Sequence, residues 1–320
     1  MTAVDVEHLT HAYGDRTALA DLSLRVGAGE VFGLLGPNGS GKTTLFRILS
    51  TIVPTSPGMA RVFGLDVATD RDAVRRPIGV VFQSAALDKH LTARENLTYH
   101  GHLYGLAGAD LKARVTDALA AFGLAERSDD KVGTFSGGMR RRVEVAKGLL
   151  HRPRLLLMDE PSTGLDPVAR ADLWDAIVRV SRRDGVTALV TTHLMEEAER
   201  CDRLTILAGG KLLACDTPDA LKGRIGGDVI TMASRKPDDL AAALRDRAGV
   251  EPQVVEGVVR LERADGHRLV PQLIEAAPGL VDSVSVGKPT LQDVFIRLAG
   301  KSMAADASEA EPERPKRGRR

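Results

Sequence analysis

The chain has 320 residues, 43% of them hydrophobic, and a formal net charge of +1. That length exceeds one typical domain and argues for one large domain with a smaller companion. The near-neutral charge gives no electrostatic case for nucleic acid. Two cysteines, Cys201 and Cys215, lie outside any CxxC or His-rich setting, which argues against zinc and suits a reducing cytosol.

The first residues, MTAVDVEHLTHAYGD, lack the basic start and apolar run of a signal peptide. No stretch approaches the roughly 18–20 apolar residues needed to cross a bilayer. If the protein serves a membrane process, another chain must supply the membrane part. Alternation predicts strands at Val4–Leu9, Leu19–Val26 and Glu30–Leu35, with Gly27 and Gly29 as breaks. The apolar run Val31–Leu35 ends at Gly36, and Thr43–Ile52 has helical spacing. A further strand is expected at Val80–Gln83. Asn96–Tyr104, Leu111–Phe122 and Gly138–Leu150 carry helical spacing and predict a helical insertion at about residues 84–150. The apolar strands Leu155–Met158 and Thr187–Thr191 flank a helix at Val168–Arg182, which predicts a βαβ unit and a parallel sheet.

These elements predict an α/β domain over residues 1–220. The texture changes near Pro218–Gly227. A strand at Asp228–Ser234, a helix at Pro237–Ala248, two strands around Gln253–Leu261, a helix at His267–Ala277 and a strand at Val281–Val286 follow. That order, β-α-β-β-α-β, predicts a small α+β ferredoxin-like domain over residues 228–300. Thr290–Leu298 reads as its closing helix, capped by Thr290. The polar tail 301–320, with its basic end, has a composition that predicts disorder.

The stretch Gly36, Pro37, Asn38, Gly39, Ser40, Gly41, Lys42, Thr43 matches GxxxxGK[ST] at every fixed position, with Thr44 following. A strand before it and a helix after it are the setting of a P-loop. Glycines let backbone N–H groups turn toward phosphate oxygens, and the helix start adds partial positive charge. Lys42 is expected to reach the β- and γ-phosphates of ATP, and Thr43 to bind Mg²⁺. Asp159 and Glu160 follow the strand Leu155–Met158, at the edge where parallel sheets place ligands. Asp159 is expected to hold Mg²⁺, and Glu160 to act as general base on the attacking water.

The order and wording of GPNGSGKTT, FSGGM and LLLMDEPSTGLD resemble the ATP-binding subunits of ABC transporters. The resemblance covers residues 2 to 220 strongly. It implies a P-loop NTPase fold of the ABC ATPase type and two copies of the chain sandwiching ATP. Ser136, Gly137 and Gly138 match the signature sequence, which would contact the nucleotide held by the second copy. This chain has Phe135 and Met139 where the family most often has Leu and Gln. Gln83 looks like the family's residue that touches Mg²⁺ or water and relays to the membrane subunit. His193 resembles the switch histidine that senses the γ-phosphate and orders Glu160. Asp166 matches the loop that crosses to the partner copy, and Tyr13 the aromatic that stacks on adenine. The segment PTLQDVFIRLAG from Pro289 resembles the daunorubicin-resistance branch. That branch implies a separate permease, export of a hydrophobic drug, lipid or polyketide, and a cytoplasmic location on the inner face of the cell membrane.

Two other functions compete with this one. A soluble ABC-type ATPase of translation or DNA repair usually carries two cassettes, coiled coils or zinc modules, and none is visible in the sequence. A non-catalytic binder is disfavoured by intact Lys42, Asp159, Glu160 and His193. The C-terminal domain reads either as a regulatory or dimer-stabilising module or as a docking surface for the permease.

Overall fold

Side chains alternate along the central strands, and both faces find apolar partners. Leu155 and Leu157 enter one core with Phe32, Leu34 and Leu189; Leu156 and Met158 enter another with Val31, Ala188 and Val190. Burial on both faces is what a parallel sheet requires. The computed structural model describes residues 1–84 and 86–298. The chain divides into two units, Met1–Thr217 and Pro218 onward.

The first unit is built on a six-stranded sheet. Its order is Lys211–Asp216, Arg203–Ala208, Val31–Leu35, Thr187–Thr192, Leu155–Asp159, Ile78–Val81. The first pair is antiparallel and the other pairs are parallel. The core on one face takes in the helix Lys42–Leu49 and a four-stranded antiparallel sheet in the order Arg16–Gly27, Thr2–Tyr13, Ala60–Val62, Leu65–Asp66. The core on the other face takes in helices Gly137–Leu149 and Pro167–Asp184, with Ala93–Leu103 and Gly108–Ala121 from the insertion. The helix Ala93–Leu103 opens on a capping box: the Thr92 side chain accepts from Glu95 N–H, and the Glu95 carboxylate accepts from Thr92 N–H.

This is the expected mixed α/β sheet with a helical insertion, and its edges differ in instructive ways. The first two strands run longer than alternation predicts, through register shifts and left-handed residues at His8 (φ 51°) and Asp21 (φ 51°). The helix after the P-loop stops at Leu49, not Ile52, because Thr51 turns the chain at φ 63°. The strand expected to reach Gln83 ends at Val81, whose parallel partner is Met158, and Gln83 lies in a bend beyond it. The hairpin Arg203–Asp216 had no counterpart in the sequence reading.

In the second unit, strands Asp228–Ala233, Gln253–Val255, Val258–Arg263 and Ser283–Gly287 alternate with helices Pro237–Ala248 and Gly266–Ala276. The sheet order is 253–255, 258–263, 228–233, 283–287, and every neighbouring pair is antiparallel. That is the ferredoxin-like order. Ile230, Met232, Leu240, Leu244, Val259 and Leu273 form its core. A last helix begins at residue 291. Thr290 N–H donates to the Asp293 carboxylate at 2.7 Å and Thr290 Oγ1 accepts from Asp293 N–H at 3.3 Å. Residues 299–320, with the tail expected to be disordered, lie outside the described residues. Among the described residues no helix is long and apolar enough to cross a membrane.

Candidate active site

The buried strand Val31–Leu35 delivers the chain to Gly36, whose N–H donates to Thr192 O at 3.2 Å. The loop then turns into the helix Lys42–Leu49 at Gly41, which has φ 102°. A Cβ there would stand 2.6 Å from Ala18 O, so close approach and handedness both demand glycine. No side chain caps this helix, and its first N–H groups remain open to an anion. Ser40 Oγ is buried without a hydrogen-bond partner. Asn38, Gly39, Gly41, Lys42, Thr43 and Thr44 line a cavity of about 350 Å³ with Tyr13, Arg16 and Glu160. Tyr13 stands half exposed at this cavity, edge-on to His11.

Lys42 is 3% exposed, and its Nζ donates to Gly36 O at 2.6 Å and Pro37 O at 2.9 Å. Burial pushes its pKa down, and the charges of Glu160 and Asp159 oppose that shift. The buried cation is therefore held by neutral carbonyls beside two acids, a setting in which an added anion relieves its desolvation.

Asp159 ends its strand with its carboxylate 3.4 Å from Thr43 Oγ1 and 2.6 Å from the donating hydroxyl of Thr191. Burial raises its pKa; the Thr191 hydrogen bond opposes this, and the nearby charge of Glu160 adds to it. Glu160 follows at φ 44°, a left-handed conformation that is strained for a residue with a Cβ. Its N–H is held by Thr191 Oγ1 at 2.9 Å and Thr191 O at 3.2 Å. That twist turns the Glu160 carboxylate among four groups. They are Thr163 Oγ1 at 3.1 Å, His193 Nδ1 at 3.3 Å, Gln83 Nε2 at 3.4 Å and Lys42 Nζ at 3.9 Å. The structure thus brings Lys42, Thr43, Gln83, Asp159, Glu160 and His193 to one edge of the sheet. The side chain of Gln83 meets Glu160 rather than Thr43 or Asp159.

Ser136 caps the helix Gly137–Leu149, its Oγ accepting from Met139 N–H at 3.2 Å. Asp166 caps the helix Pro167–Asp184 in the same way, from Ala169 N–H at 2.9 Å. The two helix starts pack together: a Cβ on Gly138 would stand 2.9 Å from Ala169 Cβ. Ser136, Gly137 and Asp166 are exposed, whereas Met139 packs against the core. None of these four lines the P-loop cavity of the same chain.

Sequence reasoning missed three residues. Thr191 holds both acids, and its signal was a hydroxyl at the carboxyl end of a strand, two residues before His193. Glu197 is buried and accepts from the Ser162 and Thr192 hydroxyls, joining the turn after Glu160 to the strand end before His193. Arg141 is buried against three backbone carbonyls around the site. No short motif marks either of the last two.

Thr43 and Asp159 offer hydroxyl and carboxylate oxygens, hard donors that suit Mg²⁺. Among the described residues no group of three or more His, Cys, Asp or Glu could hold a metal alone. Phosphate and water would have to complete the shell, as Mg²⁺ commonly requires.

Comparison with known proteins agrees with this geometry. The family profile described as ABC transporter matches residues 19–163, which hold the P-loop, Ser136–Gly138 and both acids. A daunorubicin resistance ATP-binding protein of Streptomyces coeruleorubidus is 41% identical over 319 residues, covering 96% of this chain and 98% of that protein. The chain belongs to the ABC transporter family, as an ATP-binding subunit. It is similar over 94% of its length to a linearmycin resistance ATP-binding protein of Bacillus subtilis, at 36% identity and 99% of that protein. A Nod factor export ATP-binding protein of a Rhizobium strain is 39% identical over 94% of this chain and 98% of its own length. Among solved structures, cbiO1 from Clostridium perfringens, part of an ABC transporter complex, has a TM-score of 0.65 at 27% identity. It covers 69% of this chain and 91% of its own. A dimeric ATP-binding cassette in a post-hydrolysis state with ADP and phosphate bound has a TM-score of 0.59 at 27% identity, covering 67% and 98%. As an ABC ATP-binding subunit, the chain is an ATPase whose hydrolysis is coupled to transport.

Proposed function

We propose that two copies of this chain hydrolyse ATP between them and drive a separate membrane permease that exports a hydrophobic drug, lipid or polyketide. The observation that carries the reading is the Glu160 carboxylate, gathered with Lys42, Gln83, Thr163 and His193 beside the P-loop. Lys42 and the open helix start bind the phosphates, and Tyr13 lies at the cavity where adenine would stack. Glu160 takes the proton of the attacking water, and His193 fixes its carboxylate. Thr43 and Asp159 would hold Mg²⁺, with Gln83 nearby; bound there, the ion neutralises charge on the β- and γ-phosphate oxygens.

Ser136, Gly137 and Asp166 are exposed and away from the chain's own P-loop cavity. That placement supports a role at the nucleotide of a second copy, in an isologous pair. Each ATP would then join two chains, and hydrolysis would release them. The relatives named for daunorubicin resistance, linearmycin resistance and Nod factor export support the cargo class. On the helix Ala93–Leu103, Tyr99 and Leu103 are 59% and 82% exposed one turn apart, with exposed Tyr104 following. This apolar strip supports permease docking on the insertion, and with it a cytoplasmic place on the inner membrane face.

The test is Glu160→Gln. It is expected to bind ATP, lose hydrolysis and run as a closed dimer in size-exclusion chromatography with ATP. Hydrolysis at the parent rate would sink the reading. Co-expression with a candidate permease and a drug-efflux measurement, parent against Glu160→Gln, tests the cargo class.

A further inference from the structure

One arginine touches the backbone on both sides of Glu160 and also the residue before Gln83. Arg141 lies one turn into the helix that starts at Ser136, and it is 7% exposed. Each of its three nitrogens donates to a different carbonyl. Nε meets Pro161 O at 2.5 Å, Nη1 meets Phe82 O at 2.5 Å and Nη2 meets Asp159 O at 3.3 Å. Asp159 and Pro161 bracket Glu160, and Phe82 precedes Gln83. The same helix reaches past Gln83: the Glu144 carboxylate accepts from Ala86 N–H at 2.7 Å, and Lys147 Nζ donates to Ala86 O at 2.9 Å. A buried guanidinium is expensive to desolvate, and burial does push its pKa down against the opposing charges of Glu144 and Asp159. A planar fork holds its donors on three separate nitrogens in fixed directions, one for each carbonyl; a lysine ammonium carries all its donors on a single nitrogen.

We infer that Arg141 is a positioning residue that couples the Ser136 helix to Glu160 and Gln83 of its own chain. The inference rests on the reading that Glu160 acts on water and that Ser136–Met139 meets the nucleotide of a second copy. A shift of the Ser136 helix on engaging that nucleotide would move all three carbonyl anchors, and with them the carboxylate and amide they carry. Each site would then sense whether its neighbour is filled. Arg141 touches no reacting atom; it acts through the backbone.

The experiment measures steady-state ATP hydrolysis, ATP affinity and thermal unfolding of the full chain with Arg141→Lys and Arg141→Gln. Glu160→Gln serves as the hydrolysis control. With native melts and ATP affinity near the parent value, kcat is expected to fall about 10²-fold in both variants, the scale of a roughly 1 Å misplacement. The Hill coefficient for ATP is expected to fall toward one, and Lys to retain more activity than Gln. Parent kcat and Hill coefficient in Arg141→Lys overturn the proposal, as does a loss that appears in KM alone. If Glu160→Gln hydrolyses at the parent rate, it is the underlying reading that has failed. If neither variant gives a native melt, hydrogen exchange on the parent chain with a non-hydrolysable ATP analogue decides. Joint protection of residues 136–141, 82–84 and 159–163 supports the coupling; protection of 136–141 alone overturns it.

Discussion

The hydroxyl of Thr191 donates to Asp159 Oδ1 at 2.6 Å, and the same oxygen accepts the N–H of Glu160 at 2.9 Å. One side chain from the neighbouring strand therefore favours the charged form of the first acid and anchors the backbone N–H of the second. Asp159 is buried, and this hydrogen bond is the largest influence opposing the rise of its pKa. Thr191→Val keeps the shape and removes both bonds. Glu160 N–H then retains only Thr191 O, and the carboxylate of Asp159 loses its short donor. Stability is expected to fall by about 1–3 kcal/mol, with a loss of kcat, and Thr191→Ser should recover most of both. Urea unfolding and ATP hydrolysis of the two variants check this. A valine variant with parent stability and rate would refute it.

Gly138 is fixed by packing. A Cβ at this position would sit 2.9 Å from Ala169 Cβ, and Ala169 belongs to the first turn of the helix capped by Asp166. Gly138→Ala must push the two helix starts apart. Overpacking of this kind destabilises by about 1–3 kcal/mol. It would also displace Ser136 from Asp166, so loss of the ATP-dependent dimer is expected to exceed loss of ATP binding by the single chain. Thermal denaturation and size-exclusion chromatography with ATP would show a small, equal effect on both if this is wrong.

The P-loop was legible in the sequence because glycine and lysine at fixed spacing, between an apolar run and a helical run, leave little freedom. Asp159 and Glu160 were legible for a similar reason, as acids at the end of a buried strand. The unbroken apolar run Leu155 to Met158 also announced a buried strand. Strand order was not legible, since the neighbours of Val31–Leu35 come from Thr187–Thr192 and Arg203–Ala208, far along the chain. The contacts of Arg141 and Thr191 were hidden for the same reason. Each depends on long-range pairing, and nothing local distinguishes Arg141 from Arg140 or Arg142. The bend at Gln83 was misread as strand because its apolar approach, Val80 to Phe82, continues past the last residue that finds a partner.

Acid should loosen the helical insertion. His100 lies tilted by 60° against Tyr104, which in turn stacks on His151 with centroids 4.0 Å apart. Burial first, then the charges of Lys147 and His151, lower the pKa of His100 from 6.5 to about 4. Burial lowers that of His151 as well, with Arg114 adding to it and a hydrogen bond to Ile78 O opposing. A folded-state pKa below the unfolded one means that the unfolded chain binds the proton more readily. Stability is therefore full above about pH 6.5, falls as pH drops toward 4, and levels off below that. Partial exposure screens the size of the effect. Urea midpoints measured across this window should fall with acid, and His100→Gln should flatten the slope without abolishing it, because His151 remains. An unchanged slope in His100→Gln would assign the acid sensitivity elsewhere.

Met139 stands where the family most often has Gln. Its side chain packs against the core, while the Ser136 hydroxyl, the exposed Gly137 and the helix start lie toward solvent. In the proposed pair, the phosphate of the second copy's nucleotide would be met by Ser136 and by backbone N–H groups, not by the side chain of Met139. Met139→Gln would bring a polar amide to a half-buried position without a hydrogen-bond partner among the core residues. That penalty is about 1–3 kcal/mol, read as a lower unfolding midpoint. The kcat for ATP should stay within a few-fold of the parent, because the phosphate contacts are untouched. The alternative is that the usual Gln supplies a contact which this chain lacks, and then Met139→Gln would raise kcat or tighten the ATP-dependent dimer. Unfolding midpoint and hydrolysis rate, measured on the same protein, separate the two.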